Sequence, residues 1–197
     1  FLNKDMEQKK KYYRLLQRGY MEFPKKRYKI IYADPPYYFK SYSKKGENRN
    51  ATQHYNCMEF NDILQLPINN IADMDCVLFI WVIDPFLERA FEIINKWGFK
   101  YKTVAFTWIK QNKSSGFFTG LGYWTRANPE QCLLATKGNP KRVSKAVKQL
   151  IISKRQEHSK KPDCVRDRIV ELCGDLPRIE LFARQKVQGW DSWGDEL

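Results

Sequence analysis

The run Cys76–Val82, CVLFIWV, constrains the fold more than any other stretch of the chain. Uninterrupted apolar residues leave a strand no polar face, so it has to be covered on both sides. The run is much too short to cross a bilayer. A chain containing it therefore builds a sheet with a layer on each face. Tyr28–Ala33, Tyr101–Ile109, Gln131–Ala135, Leu150–Ser153 and Arg178–Phe182 have the composition of further strands. Helical patterns lie among them: Asp5–Gly19, Asn61–Leu66 before Pro67, a stretch opened by an Asp84 cap with Pro85 in its first turn and stopped at Gly98, and KPDCVRDRIVELCG, stopped at Gly174. Strands alternating with helices imply an α/β fold, a mostly parallel sheet with helices on both faces. Residues 40–53 and 110–130 lack periodicity and form long loops. Both leave strands, where open sheets place their ligands.

Of the 197 residues, 35 are Lys or Arg and 22 Asp or Glu, giving a net charge of +13. The basic residues cluster at Lys9-Lys10-Lys11, Lys25-Lys26-Arg27, Lys44-Lys45, Lys141-Arg142 and Lys160-Lys161. Such a balance either serves solubility alone or draws a polyanion, nucleic acid before membrane. No apolar run approaches a membrane span, and no secretory pattern opens the chain, so no membrane partner is expected. Five cysteines without a Cys-x-x-Cys pair fit reduced thiols and a cytoplasmic location. The two histidines, His54 and His158, are far apart, which argues against a zinc site or a Ser-His-Asp triad. No metal is expected.

At the end of the first strand stands Ala33-Asp34-Pro35-Pro36-Tyr37. Pro-Pro falls by chance at about one position in 400, and an acid before it and an aromatic after it are rarer still. A stiff turn is one account of it. The other is chemical. The exocyclic amine of a nucleobase is a poor nucleophile, because its lone pair is delocalised into the ring. Acceptors on both N–H bonds localise that pair; Asp34 offers one and the Pro35 carbonyl the other, fixed by two proline rings. Tyr37 offers a face for a base taken out of its stack.

With HYNCM, VLFIWV, KWGFKY, TWIK, GYWTRANPEQCLLATKGNP, HSKKPD and RIELFAR in this order, the chain from about Tyr28 onward resembles the MT-A70 family of S-adenosylmethionine-dependent adenine-N6 methyltransferases. The loop before HYNCM and GYWTRANPE are closest to its bacterial and phage DNA-modifying branch. The resemblance implies a Rossmann-like class I methyltransferase fold, permuted so that the catalytic DPPY strand precedes the cofactor-binding strand. It implies a methyltransferase domain over residues 28–197, preceded by a basic helical extension over 1–27. It assigns catalysis to Asp34, Pro35, Pro36 and Tyr37. S-adenosylmethionine falls to Asp34, Lys161, Glu180, Phe182, Arg184, Asp195 and Glu196. The long loops 40–56 and 111–128 are expected to grip the target nucleotide, with Tyr37 stacking on the base, Lys44 and Lys45 on phosphates, and Tyr55 and Trp124 as neighbours of the base or the cofactor. Without the resemblance, Lys161 is equally a solvated charge and Tyr55 equally core, whereas Glu180 within an apolar strand needs a partner. The implied activity is methylation of adenine in DNA. The alternatives are an RNA-directed enzyme and a catalytically silent nucleic-acid-binding subunit. A monomer, a homodimer and a heterodimer with a related subunit are all compatible with the sequence.

Overall fold

A computed structural model of the chain describes residues 22–38, 57–156, 160–195 and 197. The strands are β1 (Tyr28–Ala33), β2 (Ala72–Val82), β3 (Lys100–Gln111), β4 (Glu130–Lys137), β5 (Leu150–Lys154), β6 (Arg178–Leu181) and β7 (Asp191–Trp193). They form one sheet in the order β5-β3-β4-β2-β1-β6-β7. The helices are α1 (Phe60–Leu64), α2 (Ile68–Ile71), α3 (Leu87–Lys96) and α4 (Cys164–Cys173).

Cys76 through Val82 are all buried in β2, at the centre of the sheet. Alternate residues of β1 and β2 enter different cores. Ile31, Ala33, Leu78 and Ile80 pack with Ala90, Ile93 and Ile94 of α3 on one face. Ile30, Tyr32, Phe79 and Trp81 pack with Val165 and Ile169 of α4 on the other. The two-sided cover expected from the apolar run is present.

Several local expectations are corrected. Asp84 does not cap a helix with its side chain; Asp84–Phe86 form a 3-10 turn from which α3 starts at Leu87. Pro67 separates α1 from a second short helix instead of ending the helical stretch. β2 and β3 run beyond their apolar cores, and β7 is three residues that carry no pattern of their own. Gly98 and Gly174 stop α3 and α4 with φ of 86° and 87°, which a side chain would disfavour.

β1 is parallel to β2 and β6, β6 to β7, and β3 to β5, while β4 is antiparallel to both β2 and β3. One reversed strand has a consequence for the site. β1, β2, β3 and β6 bring their last residues to one edge of the sheet, whereas β4 brings its first, Glu130. Ahead of β1, Phe23 stacks on Trp193 at 4.3 Å and Lys26 pairs with Asp191 at 2.9 Å, so residues 23–26 pack on the β7 side.

Candidate active site

Asp34 is the first residue beyond β1, and the chain then tightens into a turn. The Tyr37 amide donates to the Pro35 carbonyl at 2.9 Å, which aims that carbonyl while leaving it a second lone pair. The Met58 amide donates to the Pro36 carbonyl at 2.8 Å, and the Tyr38 amide donates to the Met58 carbonyl at 3.0 Å. The motif is thus stitched to the returning chain. Tyr37 is only 5% exposed; its ring stacks on Phe86 at 4.9 Å and its hydroxyl donates to the Trp81 carbonyl at 3.2 Å. The ring is braced as part of the core and is not an open platform.

Lys161, just ahead of α4, reaches across to Asp34. Its Nζ lies 2.8 Å from Asp34 Oδ2 and 3.2 Å from Glu130 Oε2, and Lys110 Nζ lies 2.6 Å from Glu130 Oε1. Four alternating charges therefore run from the root of the β3–β4 connection to the Asp34 turn. Burial pushes Asp34 upward and Lys161 only partly restrains it, so its carboxyl titrates above the usual range. Burial would raise Glu130 too, but Lys161 and Lys110 together outweigh it and hold that carboxyl below its ordinary value. For Lys161, burial favours the neutral amine, but the two carboxylates prevail and raise its pKa. The ammonium stays charged.

Beside this chain lies a second pair. Arg166 of α4 grips Glu180 of β6 with two bonds, Nε to Oε2 at 2.7 Å and Nη2 to Oε1 at 2.8 Å. Its Nη1 also donates to Asp163 at 3.0 Å. Burial raises the Glu180 pKa, and Arg166 pulls it part of the way back. The buried acid singled out in the sequence has its partner.

One cleft is lined by Asp34, Lys161, Glu180, Phe182 and Arg184 together with Tyr32 and Arg166, bringing five expected residues to one place. Phe182 turns the chain with φ of 60° and meets Trp193 edge-on at 5.4 Å. A groove of about 560 Å³ between α4 and residues 185–190 shares Arg166 and Gln185 with this cleft. Asp195 follows β7 and is half-buried, whereas Trp124 projects into solvent, 92% exposed. Lys44, Lys45, Tyr55 and Glu196 lie outside the described residues. Among the described residues no three His, Cys, Asp or Glu side chains converge as a metal site, and no helix is long and apolar enough to cross a membrane.

Glu130 and Arg166 were not singled out by the sequence reading. Glu130 stands where a loop meets a strand, and only the reversal of β4 carries it to the active edge. Arg166 had a faint signal: it follows Asp163 by three residues at a helix start, five residues after Lys161.

Comparison with known proteins places this geometry in context. A type II methyltransferase from a Mycoplasma species, M.MunI, is 34% identical over 199 residues, covering 92% of this chain and 83% of that protein. An Arabidopsis thaliana protein named as an MT-A70-like N(6)-adenosine-methyltransferase is 27% identical over 172 residues, covering 85% of this chain and 23% of its own length. An N6-methyladenosine RNA methyltransferase from Pyricularia oryzae, MTA1, is 27% identical over 180 residues, 86% of this chain and 47% of that protein. The chain thus spans most of the Mycoplasma relative and less than half of these two eukaryotic ones. The MT-A70 family model matches residues 28–196, a span that runs from β1 past β7 and holds every charge of the cleft, and the chain belongs to the MT-A70 family of methyltransferases.

Proposed function

We propose that this chain transfers a methyl group from S-adenosylmethionine to the exocyclic N6 amine of adenine in DNA. The observation that carries the reading is Asp34 at the end of β1, held by Lys161 at 2.8 Å in one cleft with Glu180 and Arg184. That donor set suits the cofactor: cations for its carboxylate, an acid for its ribose hydroxyls, and a carboxylate with aromatic rings near its sulfonium. In this reading Lys161 and Arg184 hold the carboxylate end, Glu180 and Phe182 the nucleoside, with Asp195 and Glu196 at the far end.

The cofactor supplies an electrophilic methyl group. Asp34 accepts one amine N–H and the outer lone pair of the Pro35 carbonyl accepts the other. Together they draw the nitrogen lone pair out of conjugation as the new N–C bond forms, and Asp34 stands ready for the proton the amine releases. Burial, which keeps Asp34 more basic than a free carboxylate, favours that role. Pro36 stiffens the turn. Tyr37, stacked on Phe86 and held in the core, braces the turn from behind, and Lys44, Lys45 and Tyr55 contact the polynucleotide. The position of β1 before β6 in the chain, although the two are sheet neighbours, supports the permuted class I arrangement. The charge of +13 supports a polyanionic substrate, and the likeness to the Mycoplasma type II methyltransferase supports DNA over RNA.

Asp34→Asn keeps the shape of the side chain and removes its charge. Labelled methyl transfer to duplex DNA, single-stranded DNA and RNA should fall by about 100- to 1000-fold on the preferred polymer. Wild-type turnover on RNA alone would overturn the choice of polymer. Cofactor binding without turnover on any polymer would make the chain a silent subunit instead.

A further inference from the structure

We propose that the finger between β3 and β4, residues 112–129, is a wedge whose tip, Trp124, enters the base stack of a DNA duplex beside the adenine being methylated. The inference rests on the proposed function and adds a step to it: how a paired base becomes available to Asp34.

The finger has a built stem. Residues 118–120 are tied on one side to β3, by the bond from the Phe118 amide to the Lys110 carbonyl at 2.9 Å, and on the other to the returning chain, by the bond from the Gly120 amide to the Ala127 carbonyl at 2.7 Å. The Asn128 side chain clamps the root, accepting from the Lys110 amide at 2.8 Å and donating to the carbonyls of Lys110 and Phe118 at 2.9 and 2.5 Å. Arg155 lies over the Phe118 ring at 3.7 Å. The tip is the opposite in character. Leu121, Tyr123 and Trp124 are 60%, 70% and 92% exposed. The other five tryptophans, Trp81, Trp97, Trp108, Trp190 and Trp193, are all buried. Trp124 also adopts φ of 67°, a conformation that a bulky side chain enters only when its surroundings impose it. A side chain at Gly122 would collide with the Thr125 carbonyl, so the tip is a tight turn holding a large flat ring in water.

Charge selects the occupant. Between Gln111 and Glu130 the finger carries Lys113 and Arg126 and no acid, and Lys154 and Arg155 flank its root. A second copy of this chain, at +13, would be repelled, whereas a phosphate backbone is attracted. The finger's root also touches the chemistry, because Lys110 begins the chain of ion pairs through Glu130 and Lys161 to Asp34. The N6 amine is inaccessible in a duplex until its nucleotide leaves the stack, and the vacated space costs stacking on both sides. A planar ring on a rigid stem fills that space and offsets the loss.

Trp124→Ala tests this by comparing labelled methyl transfer to a random-sequence duplex pool with transfer to the same pool as single strands. We expect the duplex rate to fall about tenfold, as loss of one aromatic–base stack implies, and the ratio of duplex to single-strand rates to fall with it. Equal loss on both substrates would overturn the wedge, and so would a change of oligomeric state by light scattering, which would make the tip a subunit contact. If the wild type methylates neither pool, the proposed function fails, but the wedge still has its own readout. Trp124 is the one exposed tryptophan, so the emission difference between wild type and Trp124→Phe isolates it. That difference should be quenched by duplex bound in a mobility-shift assay; an unchanged difference with duplex bound would overturn the proposal.

Discussion

The cleft contains two charged clusters built from different cations, and the contrast between them explains how a site can be both rigid and available. At Glu180 the partner is an arginine whose planar fork takes both carboxylate oxygens, a geometry with a single orientation. At Asp34 the partner is a lysine, a compact charge with three rotatable donors that is shared between two acids. In the proposed function the fork would hold Glu180 in one direction toward a ribose. The shared ammonium would let Asp34 exchange partners, with Lys161 turning toward an incoming carboxylate while Glu130 keeps it in place. Fixed and exchangeable contacts thus stand side by side, separated by the choice of Arg or Lys.

The largest break in this comparison comes at Lys161. Lys161→Met removes the ammonium shared by two largely buried carboxylates, and uncompensated buried charge of this kind costs about 3 kcal/mol of folding stability. Cofactor affinity should fall roughly ten- to a hundredfold as well. Chemical denaturation and calorimetry read the two effects separately. Lys161→Arg should rescue only in part, because a larger planar guanidinium has to fit a buried position that a compact ammonium fills between Asp34 and Glu130; full rescue would show that charge alone matters there.

Arg166→Lys is the complementary exchange and should cost less, about 1.5 kcal/mol for one charge-assisted bond. Its effect belongs in the affinity for cofactor, weakened about tenfold, with the maximal rate nearly unchanged. A fall in maximal rate at unchanged affinity would transfer Arg166 from the cofactor to the chemical step.

The smallest effect is on pH dependence. Glu130 has a folded-state pKa below its ordinary 4.5, so its contribution to stability is complete above that value and disappears as pH falls through the lower folded value. Glu130→Gln should therefore flatten the acid side of the stability profile below pH 4.5 and leave the neutral region with a constant offset. Denaturant midpoints measured across that range would reveal it; an unaltered acid slope would mean that the two lysines do not act on Glu130 as a pair.

These two clusters also show where sequence reading succeeds and where it stops. β1 to β6 were legible from their apolar composition, and the Asp34 turn because Pro-Pro after an acid is chemically unusual. Lys161, Glu180 and Arg184 followed from the family resemblance. Glu130 was not legible, since its place depends on β4 running against its neighbours, and the residues of β4 do not encode direction. The state of Tyr37 was hidden for a related reason. Whether an aromatic after a turn faces ligand or core depends on Phe86, which arrives from the far side of β2. The three residues of β7 have no periodicity to detect; they become a strand only because β6 offers a free edge.

The stitching of the catalytic turn to Met58 has a consequence for how members of such a family diverge. The chain leaves the turn at Tyr38 and returns at Met58 hydrogen-bonded to the same few residues. Both ends of the intervening segment, 39–56, are therefore clamped at adjacent points. Closing a segment whose ends already meet depends only logarithmically on its length, about 0.6 kcal/mol for each doubling. Insertions, deletions or wholesale exchange there should leave Asp34 and Pro35 where they are. The turn behaves as a socket, its shape set by the bonds to Met58 and not by the length of chain between Tyr38 and Cys57.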